Sequence, residues 1–509
     1  MDEETLTPGH RALRTFLGFA VLFLVYAIAV QVTNIDLEQI RRPQRQDQLV
    51  GVLRFLADPD LTNPDVTDIV VGEESLPIEP TTTTRDTIRL IIETIFMALM
   101  ATTIGTVLAV PLSFFAARNL MIPVVAPLAS IMLGVIALPL GAGAGWWVSA
   151  MLIDIATGQG LTTVVSLVLL VVLLAAIWLL FRRGQDVTSV EGGNPTTRVL
   201  ILGQIALVAL LVVFSLGLVS NLSGVLGIRA SATLGLLDFF GSFLTVMSDS
   251  IEILLPFTVA VLVGLIAASL GTRYGSELII RMEGIPAKIT NAVITGVGAA
   301  VAIYGIGWSL NWLYQFDYPE RWTTIPALAG AAIFGLGSLL LSPKRAFPIG
   351  SVIYGSMRTI FNLLRSIEPL IMGVVFVIWV GIGPFAGLMA LTLHTIAALG
   401  KLFSEQIEGI SEEPVEAITA TGANRLQTIA YAVVPQIIPP YIAYTLYRWD
   451  INVRMSTIIG FVGAGGIGLL LSQSIRLLRY REASVMMLAI AIVVSALDYL
   501  SSRMRARFV

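Results

Sequence analysis

The sequence predicts an all-α membrane protein that crosses the bilayer many times. Of its 509 residues, 56% are hydrophobic and only 13% are charged, and the mean hydropathy is +0.85. A soluble chain carries about 25% charged residues. Apolar runs of about 20 residues recur along the chain, and this is the length that an α-helix needs to cross the hydrocarbon core. We therefore expect a polytopic helical protein.

Twelve apolar runs have the composition of a transmembrane helix. They lie at residues 15–34, 89–115, 123–142, 161–181, 199–220, 251–271, 290–313, 323–341, 354–382, 385–403, 436–452 and 483–502. The first run is too long for a signal peptide and lacks a small-residue cleavage pattern, so we expect it to anchor the chain. With both termini in the cytoplasm, 18 of the 31 Lys and Arg residues lie on the cytoplasmic side, as the positive-inside rule requires.

The one sizeable hydrophilic segment, residues 36–87, separates the first two runs. It carries 11 acidic residues against five Arg, with Pro77, Pro80 and four Thr near its end, which predicts a small external cap or a partly ordered linker. It is too short to be an enzyme domain. A second external feature is an exception to the charge rule, which means either that the last spans are misplaced or that this loop contacts something anionic; it consists of Arg476, Arg479 and Arg481.

Several kinds of chemistry are excluded or disfavoured by composition. The chain has no Cys, so it forms no disulfide or thiolate metal site, and its two His, His10 and His394, argue against a His-based metal site. It contains no HExxH, GxSxG or phosphate-binding-loop motif. We therefore expect a chain that is not an enzyme, holds no cofactor, binds no nucleic acid and leaves any use of ATP to another polypeptide.

A glycine-rich break at residues 463–468 matches G-x-G-x-x-G letter for letter. The dinucleotide fingerprint also needs a preceding strand and an acidic residue about 20 positions on, whereas the nearest following acid here is Glu482. Close helix packing or irregular backbone lining a cavity is the favoured interpretation. The candidate residues for a gate or a site of close packing are Gly463, Gly465, Gly466 and Gly468.

A helix-turn-helix is predicted on the cytoplasmic side, between residues 411 and 435. Ser411 is placed to cap the first helix, Glu412 and Glu413 suit its first turn, and Pro414 is tolerated there. Gly422 suits the left-handed backbone conformation that ends a helix. A second short helix is expected from a cap at Asn424 to Pro435, with Val415 and Ile418 on one face of the first. On this pattern alone, an ordinary amphipathic helix on the membrane surface is favoured.

The spacing of this loop resembles a known motif. Glu416, Ala417, Gly422 and Pro435 fit "EAA---G---------I-LP", the motif of permease subunits of binding-protein-dependent ABC importers. Three positions depart from it, where the chain has Ile418, Ala432 and Val434. In that family the loop docks into the ATPase subunit. The resemblance thus implies an ATPase-coupling role for Glu412, Glu413, Glu416, Ala417, Gly422 and Pro435.

Further segments look like the phosphonate-importer permease (PhnE-type), a binding-protein-dependent inner-membrane component with a MetI-like fold. They are residues 87–119, 362–369, 383–387, 393–394, 400–405, and 444–456 leading into 463–468. The resemblance covers about residues 86–120 and 349–509. It implies an N-terminal anchor at 1–35, an external segment at 36–87, a first core span at 88–121, an inserted six-span block at 122–346 and the remaining core at 347–509, with a coupling loop at 405–435. The block is read as peripheral helices in preference to a decayed duplicate of the core.

The resemblance also implies a function and partners. The chain would be a permease subunit in the inner (plasma) membrane that imports phosphonate, phosphate or phosphite through an alternating-access cavity. Its partners would be two cytoplasmic ATPase subunits that bind ATP and Mg²⁺, an external solute-binding protein and a second permease copy, most simply in a homodimer. We predict that the binding protein contacts Arg476, Arg479 and Arg481. The alternative is an ion-coupled secondary transporter, for which Glu93 and Asp498 would be the acids to test.

Charged and polar residues within the predicted spans are candidates for the solute path, because charges are costly in lipid and must face protein or water. They are His394, Arg448, Asn452, Arg454 and Ser456. Two plainer interpretations stay open. Arg448 and Asp450 could form a structural ion pair, and His394 could make a helix-packing hydrogen bond.

Overall fold

The computed structural model describes residues 8–33, 38–61, 81–158, 163–187, 195–233 and 238–507, and these are almost entirely helical. The chain forms two compact units. Unit 1 comprises residues 1–121 and 353–509, and unit 2 comprises residues 122–352.

The helices and strands follow one another in this order. The first part of unit 1 contains α1 (Pro8–Val32), α2 (Glu38–Arg41), α3 (Pro43–Ala57), α4 (Thr82–Phe115) and α5 (Arg118–Met121). Unit 2 follows with β1 (Ala126–Pro127), α6 (Leu128–Thr157), α7 (Thr163–Val187), α8 (Pro195–Thr233), α9 (Asp238–Arg281), α10 (Gly284–Tyr314), α11 (Thr324–Leu339) and β2 (Ala346–Phe347). The remainder is α12 (Ile349–Ser366), α13 (Pro369–Val380), α14 (Pro384–Glu408), α15 (Glu412–Ala420), α16 (Arg425–Thr428), α17 (Val434–Gly460), α18 (Gly466–Arg476) and α19 (Tyr480–Arg505).

Within the described residues, nine helices are long and apolar enough to cross a membrane, or ten if one bent pair is a single span. Each of the nine coincides with one of the twelve predicted runs, and the bent pair coincides with a tenth. The run 354–382 is α12 and α13, bent by 88°, because Pro369 forces the preceding Glu368 into an extended conformation. The described apolar parts of the runs 15–34 and 161–181 are shorter, at Phe16–Val32 and Thr163–Leu179.

The core of unit 1 is built where α4, α14 and α17 meet. At one end, which we call the Glu408 end, the rings of Phe403 and Tyr441 stack with centroids 3.8 Å apart. The hydroxyl of Tyr441 donates to the carbonyl of Phe403 at 3.3 Å and lies 3.3 Å from the hydroxyl of Ser113. These contacts tie the ends of three helices together. They therefore place α4, α14 and α17 in one packed group just before the predicted coupling loop.

The opposite end of unit 1, which we call the Arg481 end, holds the described part of the hydrophilic segment. Helix α3 packs against α19, and Arg481 pairs with Asp58 at 3.3 Å. Thr81 caps α4, accepting from the amide of Thr84, and its hydroxyl donates to the carbonyl of Asp60 at 2.8 Å. The predicted cap is thus partly helical and bonded to the start of α19. Pro77 and Pro80 lie outside the described residues.

Unit 2 is held together by close helix packing. Glycines of α6 lie directly against α9, so that a Cβ on Gly145 would stand 3.0 Å from the carbonyl oxygen of Val259. The two ends of this unit are joined, since Ala126 pairs with Phe347 across an antiparallel bridge and Gly350 donates to the carbonyl of Val124 at 3.0 Å. Adjacent ends are what an inserted block needs. The assignment of residues 122–346 as an insertion stays a prediction.

Candidate functional site

The predicted coupling loop contains a short exposed helix. Helix α15 spans Glu412–Ala420 and begins with Glu412 and Glu413 in its first turn. Gly422 adopts φ +80° and ends the helix, and its amide donates to the carbonyl of Thr419 at 3.0 Å. The left-handed glycine expected from the sequence is therefore present. Glycine suits this position because a side chain is disfavoured in that conformation.

The two predicted caps have different outcomes. Asn424 and Gln427 form a reciprocal capping box, since each side chain accepts the other residue's amide at 2.9 Å. Ser411 lies at the N-cap of α15, but its side chain makes no capping bond, so that part of the prediction was wrong. Its amide instead donates to the side chain of Gln436 at 2.9 Å. The coupling helix is thereby tied to the start of α17.

The second helix of the predicted pair does not end at Pro435. Helix α16 passes into a five-residue π-helix, Ile429–Val433, which leads directly into α17. Pro435 lies in the first turn of α17, where its missing amide costs little. The wider π-turn changes the hydrogen-bond register before the proline, and the side chain of Gln436 bonds the carbonyl of Ala432 at 2.8 Å. The coupling loop is thus continuous with a candidate span.

The coupling helix has one anchored and one free face. Val415 and Ile418 are half-buried, as expected, and Val415 packs against the cluster that contains Phe403 and Tyr441. The opposite face is exposed and acidic. Its residues form no ion pair with any described side chain; they are Glu412, Glu413 and Glu416, with Ala417 beside them. This face is available to a basic partner, and Val415 packs α15 against the core.

A charged joint lies next to this helix. The guanidinium of Arg358 on α12 is 2.8 Å from Glu408, the last residue of α14, and 3.9 Å from Glu405. Its Nε donates to the carbonyl of Ala116 at the end of α4, at 3.3 Å. Glu408 also accepts the amide of Arg118 at 2.7 Å. Four elements therefore meet at this joint, immediately before the coupling helix α15 begins.

A buried polar stripe runs along α17. Asn452 is fully buried and donates to the hydroxyls of Thr102 on α4 and Thr395 on α14, at 2.8 and 2.9 Å. Arg448, one turn earlier, donates from Nε to Thr395 at 3.4 Å, and Ser456 is buried one turn later. The spacing of four places these side chains on one helix face. Asn452 thus joins three helices of unit 1.

Arg448 is the most unusual member of this stripe. It is only 7% exposed, and its Nη2 has no hydrogen-bond partner among the described residues. His394 is an electrostatic neighbour of Arg448, and its Nδ1 is also buried without a described partner. Buried donors of this kind are costly unless another group satisfies them. The arrangement can therefore offer hydrogen bonds and positive charge to an anion.

Arg454 does not belong to the stripe. It pairs with Asp450 at 2.6 Å, one turn away on α17, and lies 3.6 Å from Asp498 on α19. The expected pair between Arg448 and Asp450 was therefore wrong, because residues two apart point to different sides of a helix. Arg454 also lies on a different side of α17 from Arg448, since six residues turn a helix by about 240°, and its place in the solute path stays a prediction.

The glycine-rich break joins α17 to α18. Gly465 adopts φ +78°, and a Cβ there would lie 2.5 Å from the nitrogen of Pro384. Gly463 accepts the amide of Gly383 at 3.0 Å, and Gly468 packs against the backbone of Thr457. These glycines let two irregular segments touch. Close packing is therefore the arrangement that the structure gives this break.

The two acids of the secondary-transporter alternative are both engaged. Glu93 accepts the amide of Gly466 at 2.9 Å, and the adjacent Thr94 accepts that of Ile467 at 2.9 Å, so the pair caps the start of α18. Asp498 faces Arg454.

The sequence pattern did not point to four residues whose partners are distant in the chain: Thr102, Thr395, Arg358 and Glu408. Thr395 alone had a local signal, because it adjoins His394.

Comparisons with known proteins place the chain in a family. Residues 344–509 match the family model described as "Binding-protein-dependent transport system inner membrane component". The permease protein PtxC of a phosphite transport system of Stutzerimonas stutzeri is 40% identical over 185 residues, which is 36% of this chain and 67% of that protein. The chain spans 62% of a second phosphite permease protein from the same organism, HtxC.

Two other relatives are named for other phosphorus compounds. The cryptic phosphonate transport permease PhnE2 of Escherichia coli is 48% identical over 122 residues, covering 24% of this chain and 100% of that protein. The phosphate-import permease PhnE of Mycolicibacterium smegmatis is 40% identical over 157 residues, or 31% and 30% of the two chains. The chain therefore belongs to the family of inner-membrane components of binding-protein-dependent transport systems, and it is a multi-pass transport component rather than an enzyme.

Proposed function

We propose that this chain is the permease subunit of an ATP-driven importer for a phosphorus oxyanion: phosphonate, phosphite or phosphate. The observation that carries the proposal is the identity of 40–48% to relatives named for these three solutes. The buried stripe on α17 supports it. Arg448 keeps Nη2 without a described partner, so it can donate to an anion that passes, whereas a fully paired arginine could not.

The partners follow from membership of the family. The free acidic face of α15 is proposed to dock a cytoplasmic ATPase subunit, which binds ATP and Mg²⁺, and two such subunits serve two permease copies. An external solute-binding protein delivers the anion at the Arg481 end. In this arrangement both termini lie in the cytoplasm. A homodimer is the simplest assembly, because the chain has one coupling helix and two ATPases need two.

The proposed mechanism assigns roles to residues already described. ATPase closure moves α15, and Val415 with the joint at Arg358 and Glu408 passes the motion to α4, α14 and α17. Asn452, on α17, bonds Thr102 on α4 and Thr395 on α14. The three helices therefore shift together at the depth of Arg448. The anion binds at Arg448 only briefly, since one buried guanidinium with one free nitrogen attracts it without enclosing it.

The test is reconstitution of the chain in vesicles with a candidate ATPase subunit and a candidate solute-binding protein. We expect ATP-dependent uptake of labelled phosphate, and we expect phosphite or a phosphonate to inhibit that uptake. Arg448→Gln should abolish uptake while leaving ATPase capture intact, and Arg448→Lys should restore part of it. Arg454→Gln is the matched control, since it changes an arginine on another face of α17. Uptake driven by a proton gradient without ATP would overturn the proposal in favour of a secondary transporter.

A further inference from the structure

Unit 2 contains a cavity of about 340 Å³ at the end where α6 and α10 begin and α11 has ended. Both α10 and α11 belong to candidate spans, so this end lies where a helix leaves the hydrocarbon core. The walls combine apolar and polar groups: Leu128, Leu341, Phe347 and Pro348 with Asn291, Ser342 and Arg345. Such a mixture is typical of a site for an amphipathic molecule.

One wall of the cavity carries an unsatisfied acceptor. Asn291 is 2% exposed, and its Nδ2 donates to the carbonyl of Ser338 at 3.3 Å. Its Oδ1 is buried and has no partner among the described residues. A buried carbonyl oxygen without a donor is costly, so this atom calls for a ligand that donates a hydrogen bond.

The mouth of the cavity carries an unpaired cation. Arg345 is exposed, and its guanidinium forms no ion pair or hydrogen bond within the described part of the chain. The neighbouring Lys344 is already used, since it pairs with Glu283 at 3.5 Å. A guanidinium matches the geometry of a phosphate group. The bridge between β1 and β2 holds Phe347 and Pro127 in place beside it.

We propose that this cavity binds the headgroup of an anionic phospholipid. The phosphate would lie on Arg345, a hydroxyl of the headgroup would donate to Asn291, and the first acyl carbons would cover Leu341 and Phe347. Those two side chains are 40% and 39% exposed, which leaves apolar surface for an acyl chain but not for a free inorganic ion. Basic pockets between spans at the membrane surface are suited to this chemistry. The lipid would brace the joined ends of unit 2.

The experiment uses the whole chain in detergent, with thermal unfolding and native mass spectrometry as readouts. Phosphatidylglycerol should raise the unfolding temperature and stay bound. Phosphatidylcholine, whose headgroup has no donor, should bind about tenfold more weakly, as should phosphatidylglycerol to Asn291→Leu and to Arg345→Gln. Because Arg345 is exposed, that variant tests the site even if Asn291→Leu folds poorly.

Lys288→Gln is the matched control, because Lys288 is exposed on α10, one turn from Asn291, and does not line the cavity. It should retain the lipid. An equal loss in Lys288→Gln and Arg345→Gln would overturn the proposal by showing general charge attraction. A shift produced by inorganic phosphate or glycerol 3-phosphate that Arg345→Gln abolishes and Arg448→Gln retains would also overturn it, since this cavity would then take a free phosphate. Transport is not needed for any of these readouts, so the result is independent of the proposed solute.

Discussion

Glu408 and Arg358 form the tightest charged contact at the Glu408 end, with Oε1 and Nη2 2.8 Å apart and both side chains about three-quarters buried, at 26% and 22% exposure. The same carboxylate oxygen accepts the amide of Arg118. A charge held by several partners resists displacement more than an isolated surface pair does. The two residues therefore hold the middle of α12 against the ends of α4 and α14, beside the coupling helix.

Loss of this joint should uncouple ATP hydrolysis from transport. We expect Arg358→Gln to cost about 1–3 kcal/mol of stability, because Glu408 and the carbonyl of Ala116 each lose a donor. Uptake should fall about tenfold while the ATPase still binds and hydrolyses ATP. The measurement is the ratio of solute moved to ATP hydrolysed in vesicles. Arg273→Gln, which removes an exposed arginine paired with Glu277, is the control. An unchanged ratio in Arg358→Gln would remove this joint from the mechanism.

The left-handed turn at Gly422 should be required for ATPase docking. No atom lies within 4 Å of a Cβ added there, so the cost of Gly422→Ala comes from its φ of +80° alone, about 1–2 kcal/mol. We expect weaker capture of the ATPase in a pull-down, with thermal stability of the spans nearly unchanged. Gly355→Ala is matched, because it also has open space around it but an ordinary helical φ, and it should capture normally. Full capture by Gly422→Ala would contradict the docking role of this turn.

Local signals in the sequence predicted the coupling helix well. The acidic first turn, Gly422 and Asn424 each act on backbone groups within a few residues, so neighbouring letters suffice to place them. The bend between α12 and α13 was predictable for the same reason, since Pro369 restricts Glu368. A helical wheel would also have separated Arg448 from Asp450. The pairing of Asn452 with Thr102, 350 positions away, was not predictable, because the pattern of one helix does not say which helix covers it.

Asn452 should be a main determinant of the stability of unit 1. Asn452→Leu keeps the size of the side chain but leaves the buried hydroxyl of Thr102 without its donor and that of Thr395 with only the Nε of Arg448, at 3.4 Å. We expect a loss of about 2–4 kcal/mol and a lower unfolding temperature in detergent. Asn362→Leu provides the comparison, because Asn362 bonds Lys401 at the surface and its loss should cost less than about 0.5 kcal/mol. Equal unfolding temperatures for the two variants would contradict this role.

The arginines near α19 remain predicted to contact the binding protein, although two of them have local partners. Arg479 pairs with Glu482 at 3.5 Å and Arg481 with Asp58 at 3.3 Å. Replacing Arg476, Arg479 and Arg481 together by Ala should weaken docking of the binding protein, measured by co-sedimentation with vesicles. Asp58→Asn combined with Glu482→Gln breaks the same ion pairs while keeping the arginines. That control should dock normally, because these exposed pairs contribute at most about 1 kcal/mol each. Normal docking by the triple variant would exclude the contact.

The contact between Gly465 and Pro384 should tolerate no side chain. A Cβ on Gly465 would lie 2.5 Å from the nitrogen of Pro384 and 2.6 Å from its Cα, and both are backbone atoms that cannot rotate away. Gly381 has a similar conformation, with φ +91°, but nothing within 4 Å of its Cβ position. Both substitutions to Ala carry the backbone cost of about 1–2 kcal/mol, and Gly465→Ala alone adds the collision. We therefore expect Gly465→Ala to lower the unfolding temperature by clearly more than Gly381→Ala and to reduce uptake. If both variants unfold at the same temperature, the break at 463–468 is set by backbone conformation and not by the close approach of the two segments.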